Sequence, residues 1–272
     1  MKDHRITGGG GTQLHVVETG RTEGRPLLFI HGFSQCWLAW TRQINSNLAE
    51  SNRIAAMDIR GHGLSDKPRD GYDDSKLWAD DVNAVIQSLN LDRPVLCGWS
   101  YGSLVILDYV RHYGDDKIGG FHFVGGISKL GSDQAMSVIT PEFLSLAPGF
   151  FSNDVQESLR SLESLLRLCL PEAPSAEELY LMLGYNLSVP PYVRQAMFAR
   201  SFDNDDLLPK IRKPVLLTHG AHDAIVKPAV VDQHKAGMAN AQIHMMANSG
   251  HAPFWDDAAT FNGRLKSFAE GL

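Results

Sequence analysis

The 272-residue chain is poor in cysteine, short of positive charge and free of long apolar runs. Its three cysteines, Cys36, Cys97 and Cys169, are an odd number and widely spaced, with no Cys-x-x-Cys pair and no Cys/His cluster. Neither a disulfide framework nor a zinc site fits that pattern. Lys and Arg number 25 against 31 Asp and Glu, leaving a net charge of -6. A nucleic-acid or membrane-surface partner would call for a basic face, so neither is expected. No window reaches the roughly 18 consecutive apolar residues of a membrane-spanning helix. The start, Met1-Lys2-Asp3-His4-Arg5, leads into glycines instead of a signal-peptide core, and a cytoplasmic location is expected.

What is present is ordinary globular composition, 43% hydrophobic and 21% charged, in a chain long enough to bury a core without covalent staples. Short β-prone runs at 13–18, 27–30, 54–58, 95–97, 121–124, 215–218 and 243–245 alternate with helical patterns. Those patterns fall near 40–48, 75–89, 101–113, 228–237 and 257–271. Strands that alternate with amphipathic helices predict an α/β architecture, a mostly parallel sheet with helices on both faces. Gly8 to Gly11 reads as a flexible turn. The rhythm breaks between 132 and 206, where 154–168, 176–184 and 192–202 look helical. Pro141, Pro148, Pro171, Pro174, Pro190 and Pro191 punctuate them, and proline ends helices. The chain therefore divides into a core, 1–131 and 207–272, and a helical lid insertion, 132–206, expected over the C-terminal edge of the sheet, where open α/β sheets bind ligands.

The strongest chemical signal is Gly98-Trp99-Ser100-Tyr101-Gly102, at a junction between strand and helix. A serine on so sharp a turn projects its hydroxyl clear of the sheet, and the helix start aims free N–H groups at developing negative charge. A hydroxyl at neutral pH needs a base. Among 11 histidines, His251 lies in Asn248-Ser249-Gly250-His251-Ala252-Pro253-Phe254, between the last strand and the last helix, which returns its ring to the same edge. The base needs a carboxylate behind it. Asp223, in Gly220-Ala221-His222-Asp223, directly follows a strand, and its loop should lie beside that of His251; Asp133, beyond the preceding strand, is the competitor. An oxyanion formed at Ser100 would be held by the backbone N–H groups of Tyr101 and, from the loop His31-Gly32-Phe33, of Phe33. His31 reads as a structural residue of that loop. Asp58 and His62 raise a metal reading, but two ligands are too few for a site; Cys97 reads as a buried core thiol.

Together His31-Gly32-Phe33, Asp58-Ile59-Arg60-Gly61-His62-Gly63-Leu64-Ser65, Gly98-Trp99-Ser100-Tyr101-Gly102, Gly220-Ala221-His222-Asp223 and Gly250-His251 resemble the α/β-hydrolase superfamily. The resemblance is nearest to the bacterial esterase and cofactor-free haloperoxidase (perhydrolase) branch, runs from about residue 13 to 270, and is weak across the insertion. Dehalogenases and epoxide hydrolases of this superfamily carry aspartate where this chain has Ser100. The resemblance thus implies a cofactor-free serine esterase, lactones included. No basic cluster in the insertion offers a phosphate or coenzyme A handle, so a small or medium, mainly apolar acyl substrate is expected. A carbon–carbon bond hydrolase and a slow-turnover ligand receptor share the same motifs. Trp37, Trp40 and Phe254 are the expected pocket lining, with Phe150, Phe151 and Tyr185 from the insertion.

Overall fold

The strand-and-helix alternation folds, in a computed structural model that describes residues 1–272, into an eight-stranded sheet with an added two-stranded ladder. The strands are β1 (Lys2–Thr7), β2 (Gln13–Gly20), β3 (Arg25–Ile30), β4 (Asn52–Met57), β5 (Val95–Trp99) and β6 (Gly120–Val124). The ladder of β7 (Lys129–Leu130) and β8 (Phe202–Asp203) follows, and β9 (Val215–Gly220) and β10 (Ala241–Met246) complete the sheet. The order is β1-β2-β4-β3-β5-β6-β9-β10. β2 runs antiparallel to both its neighbours, and every pairing from β4 to β10 is parallel. The central strands are apolar on both faces because helices cover both; β3, β5 and β6 are buried almost throughout. From β3 the chain steps out to β4 and then back across β3 to β5. The loops after β3 and β5 therefore diverge around a crevice at the C-terminal ends of the strands, the place where such sheets bind ligands.

Two parts of the N-terminus differ from the sequence reading. β1 has only Ile6 buried, so its charged Lys-Asp-His-Arg run carries no hydrophobic alternation. It forms because β2 offers a free edge, with six residue pairs in register and His4 bonded to Glu18 at 2.8 Å. The glycines that follow are not a loose turn. The Gly9 N–H donates to Asp81 Oδ1 at 2.8 Å, and Arg60 Nη2 donates to the Gly9 carbonyl at 3.0 Å. Arg60 and Asp81 are themselves buried in a two-point ion pair, 2.7 and 2.8 Å.

Between β6 and β9 the helices Asp133–Ser137, Pro141–Ser145, Ala147–Phe151, Val155–Cys169, Ala176–Leu187 and Pro191–Phe198 form a layer of their own. Val155–Cys169 starts on Asp154, whose side chain accepts the Glu157 N–H, and buries Leu162, Leu165, Leu166 and Cys169 along one face. Ala176–Leu187 starts with a capping box of Ser175 and Glu178. The two-residue ladder brings the ends of this segment together. Arg200 fastens its exit: the buried guanidinium donates to Asp108 Oδ2 at 2.7 Å and to the Tyr101 hydroxyl at 3.2 Å. It also stacks over Phe202 at 4.5 Å and Trp78 at 5.1 Å. Burial pushes the Asp108 carboxyl up to about 6 against the pull of Arg200. Removing either partner would strand a buried charge, at a cost of about 3–5 kcal/mol.

Candidate active site

Ser100 sits between β5 and the helix Tyr101–Tyr113 with φ 52° and ψ -114°, a strained backbone for a residue with a side chain. Two bonds over-determine it: the Ser100 N–H donates to the Val124 carbonyl at 2.8 Å, and the Ser103 N–H to the Ser100 carbonyl at 2.9 Å. The flanking glycines permit the crossing. A Cβ on Gly98 would stand 2.7 Å from the Gly102 carbonyl carbon, and one on Gly102 2.4 Å from the Ile30 oxygen. Any larger residue at either position would push helix and strand apart.

His251 and Asp223 arrive from two loops that touch. A Cβ on Gly220 would lie 2.0 Å from the Gly250 oxygen, so only glycine lets the β9 loop pass under the His251 loop. The His251 Nδ1–H donates to Asp223 Oδ2 at 2.8 Å. The ring is held further by its own backbone: the Trp99 indole donates to the His251 carbonyl at 2.8 Å, and Asp256 accepts the Gly250 N–H at 2.8 Å. His251 Nε2 makes no bond within the protein. Asp223 Oδ1 accepts the N–H groups of Ile225 and Val226, both at 2.9 Å. Burial alone would raise the Asp223 carboxyl, but the charge of His251 and hydrogen bonds from His219 and His251 outweigh it and hold the group well below the usual carboxylate range. His219 was not among the sequence candidates, although it directly precedes Gly220. Asp133 is exposed at the start of its short helix and takes no part.

Ser100 and His251 line one small cavity of about 30 Å³ together with Gly32, Phe33, Gln35, Trp99, Phe143, Leu165, Cys169 and Ile225. An apolar chamber of about 20 Å³ adjoins it, sharing Gln35, Trp99 and Cys169 and adding Met182, Tyr185, Phe254 and Trp255. The Phe33 N–H has no acceptor in the protein, and Tyr101, first residue of its helix, has no carbonyl one turn earlier to receive its N–H. A Cβ on Gly32 would lie 3.3 Å from the Ser100 Cβ, which puts the Phe33 loop against the serine. His31 secures that loop: its Nδ1–H donates to the Gly32 carbonyl at 2.9 Å, and its Nε2 accepts the Ile59 N–H at 3.2 Å.

Of the expected pocket residues, Phe254 reaches the second chamber, but Trp37 and Trp40 line neither. The short turn Trp37–Trp40 drives Trp40 inward, fully buried between Phe29 and Phe254 at 4.7 and 4.3 Å, while Trp37 faces His15 at 6.3 Å. Phe143, Leu165 and Cys169 went unnoticed as lining. Leu165 and Cys169 are spaced as one helical face, yet nothing in that spacing ties the face to Ser100. Asp58 is committed to structure, accepting from Trp37 N–H, Leu64 N–H and His15. No group of three or more His, Cys, Asp or Glu side chains is placed to hold a metal ion, and no helix is long and apolar enough to cross a membrane. Cys97 is buried, and burial drives its thiol far above the usual range, which leaves it unreactive. A larger cleft of about 370 Å³ lies behind the His251 loop, lined by Arg42, Glu172, Glu178 and Asp256 among others, but neither Ser100 nor His251 opens into it. Ser100 and His251 meet only in the smaller cavity.

These features have counterparts in known proteins. Residues 25–258 match the alpha/beta hydrolase fold family, and the chain belongs to it; it is a hydrolase enzyme. The crystal structure of esterase RhEst1 from Rhodococcus sp. superposes with a TM-score of 0.95 at 33% identity, covering 100% of both chains. The AB hydrolase superfamily protein YisY of Bacillus subtilis is 27% identical over 94% of this chain and 95% of its own length. A bromoperoxidase from Bacillus anthracis shares the fold at 20% identity and a TM-score of 0.87, over 99% of this chain and 100% of its own. Of these relatives, the Rhodococcus protein is named as an esterase and the Bacillus anthracis protein as a bromoperoxidase.

Proposed function

We propose that the protein hydrolyses carboxylic esters, lactones among them, through an acyl-enzyme on Ser100, with His251 as general base and Asp223 as the carboxylate that orients it. One observation carries the reading. His251 commits Nδ1–H to the buried Asp223 carboxylate and keeps Nε2 unpartnered in a ring that lines the same cavity as Ser100. The 33% identity to a Rhodococcus esterase supports the ester class.

In this scheme Ser100 Oγ attacks the acyl carbon as His251 Nε2 takes its proton, and Asp223 stabilises the imidazolium. The carbonyl oxygen becomes an oxyanion, received by the N–H groups of Phe33 and Tyr101. The intermediate collapses as His251 returns the proton to the leaving alcohol oxygen. Water then attacks the acyl carbon with the same base, and the acid departs. Phe33, Phe143, Leu165 and Ile225 make the cavity apolar, with no Lys or Arg in its lining, which suits a compact, uncharged acyl group. The helices of 132–206 supply Phe143, Leu165 and Cys169 to the cavity wall, and in this reading they form a lid over Ser100.

The test is turnover of a p-nitrophenyl ester panel by the wild type and by Ser100→Ala. We expect the variant to lose about 10⁴-fold or more in kcat. Equal rates for the two proteins would remove the esterase reading. Ligand-induced stabilisation without turnover by the wild type would point to a binding protein instead.

A further inference from the structure

We propose that His219 is a positioning residue of this site, a second imidazole that shares the Asp223 carboxylate with His251 and sets how strongly that carboxylate pulls on the base. The proposal rests on the reading of Ser100, His251 and Asp223 given above. His219 is the penultimate residue of β9, buried, and its Nε2 stands 3.0 Å from Asp223 Oδ2, the same oxygen that receives His251. Nε2 is also 3.0 Å from the Val226 carbonyl. Carboxylate and carbonyl oxygens only accept, so this nitrogen carries the proton; the N–H donates to the Val226 carbonyl and lies beside Asp223 Oδ2, whose charge it faces at 3.0 Å.

Two consequences follow. First, the Asp223 loop is closed on itself. Its Oδ1 holds the Ile225 and Val226 N–H groups while the His219 ring holds the Val226 carbonyl, so the carboxylate is oriented whether or not His251 is in place. Ile225 lies on the cavity wall, and Val226 forms a β-bridge with Ile139 of the insertion, so the same ring ties the acid to the surface the substrate meets. Second, an N–H group 3.0 Å from Oδ2 acts electrostatically on the same oxygen that receives His251. Without it the carboxylate would stabilise the imidazolium more strongly, and the base would hold its proton to higher pH. The other titratable groups around the cluster are Cys169, Asp256 and, behind His219, His234. Burial holds the Cys169 thiol far up, brings His234 down to about 4 and raises Asp256 to about 6. All three are common to the proteins compared below, so a difference among those proteins belongs to position 219.

The experiment compares wild type, His219→Met and His219→Gln, with Ser100→Ala as the baseline, on one nitrophenyl ester across pH. Gln and Met have similar shape, and only Gln can donate from the place of Nε2. His219→Met should lower kcat about tenfold with KM little changed, and should move the acidic limb of the kcat/KM profile up by about one pH unit. His219→Gln should restore both most of the way. If Met and Gln behave alike, or the limb stays where the wild type has it, the proposal fails while an inactive Ser100→Ala leaves the triad reading standing. If Ser100→Ala is as active as wild type, it is the triad reading that fails. Should His219→Met not fold, the downfield proton resonance of His251 Nδ1 is compared among wild type, His219→Gln and His219→Ala. A resonance that moves in His219→Ala and stays in place in His219→Gln supports the proposal, and one that moves in neither, or in both alike, overturns it.

Discussion

Two buried carboxylate–imidazole pairs sit at the C-terminal edge of the sheet, and in contact geometry they are twins. His15 Nδ1 meets Asp58 Oδ2 at 2.8 Å, and His251 Nδ1 meets Asp223 Oδ2 at 2.8 Å. In each, the aspartate follows a parallel strand, β4 or β9, and backbone N–H groups occupy its other lone pairs. The difference lies in the second ring nitrogen. His15 Nε2 is taken by Asp3 at 3.1 Å, so the ring is a strut between β1, β2 and the Asp58 loop. His251 Nε2 has no protein partner and its ring borders a cavity with a strained serine. An aspartate behind a histidine is therefore no sign of chemistry in itself. What matters is whether the far nitrogen is left for a substrate.

The sharpest way to break this comparison is to remove the charge from the second pair. Asp223→Asn should cut ester turnover by about 10⁴-fold with the fold intact, because the asparagine fixes the wrong tautomer of His251. A nearly normal rate would show that His251 does not depend on Asp223. Disrupting the first pair should act on stability instead. His15→Leu leaves Asp58 short of a donor in a buried place, and a loss of about 1–3 kcal/mol in urea unfolding is expected while kcat hardly changes. A collapse of kcat at unchanged stability would contradict the strut role. The smallest effect is in pH. The hydrogen bond to Asp58, with that to Asp3, raises His15 above its usual 6.5 in spite of desolvation. A raised histidine stabilises fully below its unfolded pKa and stops doing so as pH climbs through the folded one. The wild-type advantage over His15→Leu should thus be full below about pH 6.5 and shrink as the pH rises beyond it. Asp223 is depressed, so its contribution has the opposite sign, present above the ordinary carboxylate range of about 4 and lost as acid is added. Unfolding midpoints that move in parallel for both sites would be inconsistent with these assignments.

Much of the architecture was legible because it is local. Val95, Leu96 and Cys97 followed by Gly98-Trp99-Ser100 announce a buried strand that breaks into a helix, and the helix spans Tyr101–Tyr113. β1 was not legible, since a charged edge strand carries no period of its own and exists through its pairing with β2. The glycines at 8–11 were misleading for a related reason: their order comes from Arg60 and Asp81, far along the chain. Trp40 has the composition of a pocket residue, and only the direction of a short turn sends it into the core.

At the candidate site the division runs between kinds of residue and their relations. Which side chains could supply a nucleophile, a base and an acid was readable from the chain alone, because a turn around Ser100 and loops after strands are properties of neighbouring residues. That Asp223 bonds to His251 while Asp58 bonds to His15, that His219 lies against the same Asp223 oxygen, and that Leu165 and Cys169 share a cavity with Ser100 were decided by the tertiary structure. Those relations join residues tens of positions apart, and only the packing of the sheet and its insertion sets such distances.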